Sequence, residues 1–138
     1  RRARAEIPHR DLVAALIARG EGLLLVRRVP SGLLGGLWEL PGGEVRTDED
    51  PPTALARILE QDLGVRAQIG DIVATTARAY SHFRATTEVF RCAITGEPVP
   101  SGPWDQTRWV GPGEHVGHAL TGATLDALRA AGWKLEAG

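Results

Sequence analysis

The chain has a single cysteine, no methionine, one lysine and one tyrosine. Cys92 sits alone in the apolar run "VFRCAI". That excludes an internal disulfide and any multi-cysteine metal or iron–sulfur site, and it fits a reducing compartment. No apolar run approaches the roughly 18 residues that span a membrane, and no signal-like segment follows the amino end. A soluble, cytoplasmic protein is expected. Neither sign of charge prevails, with 16 basic residues against 17 acidic, so charge alone announces no nucleic-acid partner. The missing initiator methionine suggests a processed product or a piece of a longer polypeptide.

What is present suits one domain: 138 residues, 43% of them hydrophobic, enough to bury a core. Arg1, Arg2, Arg4 and Arg10 crowd residues 1–10, which read as a basic linker, either solvated or meeting phosphates. Residues 11–138 form the domain proper. The apolar runs "LVAALIA" and "LLLV", separated by "RGEG", predict a strand hairpin. A structured Gly/Pro loop surrounds a short strand over Leu37–Leu40. Asp50 and Pro51 start a helix whose carboxylate cap and apolar face of Leu55, Ile58, Leu59 and Leu63 end at Gly64. Val65–Val73, Thr76–His82 and Phe83–Ile94 read as strands without fixed hairpin boundaries, and "TRWV" as another. Thr121 or Thr124 caps a last helix with Leu125 and Leu128 inward, ending at Gly132. His9, His115 and His118 lack partners at metal-site spacing and read as non-ligands.

The stretch "GGEVRTDEDPPTALARILEQDLGV" resembles the Nudix box. Its pattern is Gly, five residues, Glu, seven residues, Arg-Glu, aliphatic, any, Glu-Glu, any, Gly, aliphatic. Gly43, Glu49, Arg57, Leu59, Gly64 and Val65 match with the spacing kept, and "GLWELPGGE" ahead of it is similar too. The resemblance implies an α+β fold: a Nudix-like α/β/α sandwich with a mixed β-sheet. The departures fall on the chemistry. Ile58 stands for the Glu after Arg57, and Gln61 and Asp62 for the Glu pair. Magnesium wants several hard oxygens, which helix positions i, i+3 and i+4 supply from one face. Here that face offers one apolar chain, one amide and one carboxylate, and Glu60 points elsewhere. Glu44, Asp48, Glu49 and Asp50 either bind a cation weakly or form a solvated acidic turn favouring the helix start. Efficient metal-dependent pyrophosphate hydrolysis is not expected, and no metal site is assigned.

A closer resemblance is to the carboxy-terminal domain of the adenine DNA glycosylases, the MutY family. "EIPHR", "PSGLLGGLWELPGGE", "ARAYSHFRATTEVFRC" and "WDQTRWVGPGEHVGHAL" carry it. It implies lesion recognition by Tyr80, Ser81 and His82, with Tyr80 in place of the more familiar Phe. Unlike guanine, 8-oxoguanine offers an N7–H donor and a C8 carbonyl, an edge that hydroxyl and imidazole groups can satisfy. Arg78 and Arg84 could hold phosphates. Of Arg27 and Arg28, adjacent on a strand, at most one serves the concave site, and Arg28 is taken. Ser31, Leu34 and Gly35 could approach DNA where glycine removes bulk. The implied partners are duplex DNA with an 8-oxoguanine:adenine mispair and an amino-terminal catalytic domain of the same polypeptide. That domain would hold the [4Fe-4S] cluster; this chain holds no cofactor. A bacterial, nucleoid-associated monomer is the corresponding expectation. Two alternatives stand beside it: a freestanding Nudix hydrolase acting on oxidised nucleoside triphosphates with Mg²⁺, and a catalytically inactive structural or protein-interaction module.

Overall fold

Residues 12–17 are apolar without interruption, the pattern of a strand covered on both faces, and they lie at the middle of a mixed sheet. In the computed structural model, which describes residues 7–114 and 119–133, β1 (His9–Arg19) touches three neighbours. It meets β2 (Gly22–Arg28) across a tight turn, lies antiparallel to β4 (Gly42–Glu44) and runs parallel to β6 (Arg84–Thr95). β2 pairs antiparallel with β3 (Trp38–Glu39) and with β7 (Trp104–Val110). β5 (Arg66–Ala79) forms the far edge against β6.

Strand alternation divides the core in two. Val13, Ala15, Ile17, Leu24 and Val26 face α1 (Pro51–Leu63), which contributes Leu55, Ile58, Leu59 and Leu63. Ala14, Leu16, Leu23 and Leu25 pack on the other side with Ala127 and Leu128 of α2 (Gly122–Ala130). The sheet thus lies between two helices, the sandwich that the resemblance implied.

Gly64 ends α1 in the left-handed conformation, with φ 67°, and its N–H donates to the Glu60 carbonyl at 3.0 Å. Asp50 holds the N-cap position, but its carboxylate caps no backbone N–H. Pro51 and Pro52 have no N–H to give, and the carboxylate instead accepts from the Thr53 hydroxyl at 2.8 Å. Thr121 is the cap of α2, its Oγ1 accepting from the Thr124 N–H at 3.3 Å. Thr124, Ala127 and Leu128 are its buried residues, whereas Leu125, expected inward, is only half-buried.

The separate strands expected over Val65–Val73 and Thr76–His82 are one strand, β5. Register shifts between Ile69 and Ile72 and between Ile72 and Ala74 absorb the irregularity without ending the pairing. Among the described residues no helix is long and apolar enough to cross a membrane. Arg1, Arg2 and Arg4 of the basic linker, and His115 and His118, lie outside the described residues.

Candidate functional site

Two regions compete for chemistry, on opposite faces of the sheet. The first is the loop and helix from Gly43 to Gly64. Glu49 and Arg57 fasten the loop to the helix: Arg57 Nε donates to Glu49 Oε2 at 2.7 Å and Nη2 to Oε1 at 2.9 Å. Oε1 also accepts from the Arg46 N–H at 3.2 Å, and Arg57 Nη2 reaches the Glu44 carbonyl at 3.3 Å. The Arg57 hydrogen bond holds the Glu49 carboxyl down to about 2.

The helix positions that would carry a metal do not assemble a set. Ile58 is 4% exposed and belongs to the core; a Cβ at Gly43 would lie 3.0 Å from its Cδ1, so glycine lets the loop rest on it. Gln61 is exposed. Asp62 lies beneath the Ser101–Pro103 segment, where the Ser101 N–H donates to its carbonyl at 2.9 Å, and burial pushes its carboxyl up. Among the described residues no three His, Cys, Asp or Glu side chains group as metal ligands. Of the three helix positions 58, 61 and 62, only Asp62 brings a carboxylate.

The second region is a cleft of about 390 Å³ on the α2 side, lined by Arg10, Arg28, Leu34, Arg78, Tyr80 and Phe83 together with the start of α2. Arg28 is anchored there, donating from Nε to the Leu33 carbonyl at 2.7 Å and from Nη1 to Glu39 Oε2 at 2.9 Å. The same oxygen accepts from Trp104 Nε1 at 2.8 Å. Arg27 turns away and forms a two-bond pair with Asp105. The alternation argument for the two arginines thus matches their placement.

Beside the cleft, the β5–β6 turn has Ser81 and His82 at its tip. The Tyr80 N–H donates to the Phe83 carbonyl at 2.8 Å, and the two rings stack at 4.6 Å with 22° between planes. Ser81 and His82 are exposed, and among the described residues neither side chain has a hydrogen-bond partner.

Not every expected residue gathers here. Arg28, Leu34, Arg78 and Tyr80 line the cleft; Ser81 and His82 stand on its rim hairpin. Ser31, Gly35 and Arg84 are exposed and do not line it. Of the Nudix-box positions only Gly43 reaches the cleft; Glu49, Arg57, Ile58, Gln61, Asp62 and Gly64 do not. Leu34 adopts a left-handed φ of 56° in a loop whose Gly35 passes hard against the Pro30 carbonyl. Sequence reasoning placed Arg10 only in a basic linker, solvated or meeting phosphates, and missed Glu39, Phe83 and Asp126. For Phe83 a signal existed: residues flanking a two-residue hairpin tip face each other, so "YSHF" pairs two rings.

A mixed sheet between two helices, with a glycine-bounded loop and helix on one face and a cleft on the other, defines a Nudix-fold domain. The sequence match agrees over residues 12–130, and the chain belongs to the Nudix domain family. It is 41% identical over 71 residues to CTP pyrophosphohydrolase of Escherichia coli K12, covering 51% of this chain and 53% of that protein. A MutT-like protein of Streptomyces ambofaciens is 31% identical over 135 residues, 90% of this chain and 80% of that protein. Adenine DNA glycosylase of Mus musculus is 28% identical over 141 residues, 94% of this chain and 26% of that protein. The chain therefore spans about half the length of the first relative and about a quarter of the last. The solution structure of the Escherichia coli ORF135 protein has a TM-score of 0.78 at 30% identity, covering 90% of this chain and 89% of that one. By name, the stronger sequence matches are to Nudix hydrolases and favour the freestanding-hydrolase alternative; the glycosylase match is weaker.

Proposed function

We propose that this Nudix-fold chain is the lesion-recognition domain of an adenine DNA glycosylase. It contacts 8-oxoguanine opposite adenine in duplex DNA, while a separate catalytic domain of the same polypeptide excises the adenine. The observation that carries the proposal is the burial of Ile58 where a metal-binding carboxylate is needed, on a face that otherwise offers Gln61 and Asp62. The fold is retained without its hydrolytic donor set. The free Ser81 and His82 groups then supply what a hydrolase does not require, a polar pair presented outward to a base edge. A base flipped elsewhere needs such a partner domain to hold the opposite strand, and specificity then arises from differential binding. The glycosylase alignment over nearly this whole chain but only a quarter of its own length suits one domain of a longer protein.

Titration at fixed salt with duplexes carrying 8-oxoguanine or guanine opposite adenine tests this. Tighter binding of the lesion duplex is expected, with the difference erased in the Ser81→Ala/His82→Ala variant. Equal affinity for both duplexes, unchanged by that double substitution, refutes it.

The relatives' names favour a second function, a freestanding pyrophosphohydrolase acting on nucleoside triphosphates, oxidised ones among them. Incubation with such nucleotides and Mg²⁺ or Mn²⁺ separates the two. Turnover of about one per second or faster, abolished by Asp62→Ala, selects the hydrolase.

A further inference from the structure

The tip that carries Ser81 and His82 is held by two elements besides its own hairpin. On one side stands the segment leading into β1. Arg84 N–H donates to the Pro8 carbonyl at 2.9 Å, His9 pairs with Arg84 in parallel register, and His9 Nε2 lies 3.0 Å from Thr86 Oγ1. Arg10 then places its guanidinium 4.5 Å from the centre of the Phe83 ring. On the other side Arg78 lies 6.0 Å from the Tyr80 ring, bonds Asp126 of α2 at 2.7 Å and packs on Gly122. Arg10, Phe83, Tyr80 and Arg78 thus form a ladder of cation, ring, ring and cation running under the tip.

We infer that Arg10 and Phe83 are positioning residues for the Ser81–His82 tip, so that the segment entering β1 sets where these two groups stand. The physical basis is the ring face. Phe83 has Tyr80 against it and Arg10 over it, and a guanidinium at this distance from a ring is attracted to its negative face. Arg10 is half-exposed and bonds only loosely elsewhere, at 3.9 Å to Glu44, so its orientation is governed largely by the ring. With Tyr80 stacked on Phe83, the tip cannot rotate about one ring without displacing both. Tyr80 accordingly packs beneath the tip instead of standing free as a wedge. Arg10 belongs to the segment through which, on the proposed function, a catalytic domain would be joined. Lesion recognition would therefore respond to the path of that connection.

This inference rests on the proposed function for its meaning but not for its test. In the free protein, Arg10→Ala and Phe83→Leu should shift the amide resonances of Ser81 and His82, with Arg10→Lys restoring most of the change. With duplexes, the same variants should lower the preference for 8-oxoguanine over guanine roughly three- to tenfold, as expected for loss of one cation–ring contact. Unchanged Ser81 and His82 resonances in Arg10→Ala overturn the coupling, whatever the duplexes show. Preference unchanged in Arg10→Ala and Phe83→Leu but abolished in Ser81→Ala/His82→Ala also overturns it, while leaving the proposed function intact. No preference in the unsubstituted chain refutes the proposed function, and the resonance shifts then decide the coupling alone.

Discussion

Replacing Ile58 by glutamate would return to the helix the residue type that the Nudix box carries there, and the structure says what this costs. Ile58 is 4% exposed and packs in the core with Leu55 and Leu59 of its own helix and with the strands above. Removing a buried isoleucine forfeits about 1.5–3 kcal/mol of apolar burial. An acid without a hydrogen-bond partner in its place adds about 1–3 kcal/mol. The sum, about 2.5–6 kcal/mol, is a large part of the roughly 5–15 kcal/mol that holds a domain of this size together. Burial raises the folded-state pKa of such a glutamate above its unfolded value. The folded protein then binds more protons than the unfolded chain between the two values. Stability of the variant relative to the parent must fall as pH rises through that interval, by about 1.4 kcal/mol for each pH unit that separates them. Urea unfolding at about pH 4 and about pH 7 reads this directly. Ile58→Val, which keeps the apolar character, should cost only about 0.5–1.5 kcal/mol. If Ile58→Glu is as stable as Ile58→Val at neutral pH and acquires Mg²⁺ binding, the residue faces a metal site and the reasoning fails.

Arg57→Ala should let the Glu49 carboxyl rise from about 2 toward its ordinary value of 4.5, measured by NMR titration of the side chain. Because that carboxyl is depressed in the folded state, the stability it contributes is present above 4.5 and is lost as pH falls through about 2. The variant should lack this acid-sensitive step, and an identical acid unfolding curve would count against the pair. Burial pushes the Cys92 thiol up to about 12. The native protein should therefore resist thiol reagents near pH 8 and react only on unfolding, whereas native labelling at the rate of a free thiol would contradict the placement of Cys92.

The strongest sequence signals were those whose cause is local. The uninterrupted apolar residues of β1 demanded cover on both faces, and Gly64 could end α1 because only a residue tolerant of positive φ suits that cap. The face carrying Ile58, Gln61 and Asp62 was legible for the same reason, since helix spacing alone fixes which side chains share a direction. What escaped was set by tertiary contact. The unity of β5 depends on its pairing with β6, which holds the strand together through two register shifts. Leu125 lost its place because α2 turns Thr124 and Ala127 inward, where Thr124 Oγ1 accepts from the Leu40 N–H at 3.2 Å. Arg10 and Asp126 are remote in sequence from the tip they brace, and no periodicity connects them to it.

The relatives' names and the helix face point in different directions, and the motif between Gly43 and Val65 contains positions of two kinds. Gly43, Glu49, Arg57 and Gly64 have structural tasks here: close approach to Ile58, the ion pair that binds loop to helix, and the helix stop. Any domain that keeps this loop and helix needs those tasks performed, whether or not an ion is bound. Similarity to hydrolases can therefore rest on positions that do not themselves carry the reaction. The chemistry depends on a smaller set, and in it Ile58 now serves the core while Gln61 offers no charge. A fold does not by itself fix a reaction, and function must be argued from the site it presents. Here Ser81 and His82 present exposed polar groups with no partner among the described residues, at the tip between β5 and β6. On the proposed function, a carboxylate at position 58 would require rebuilding the core beneath α1, whereas abolishing lesion preference should require only removing two exposed side chains.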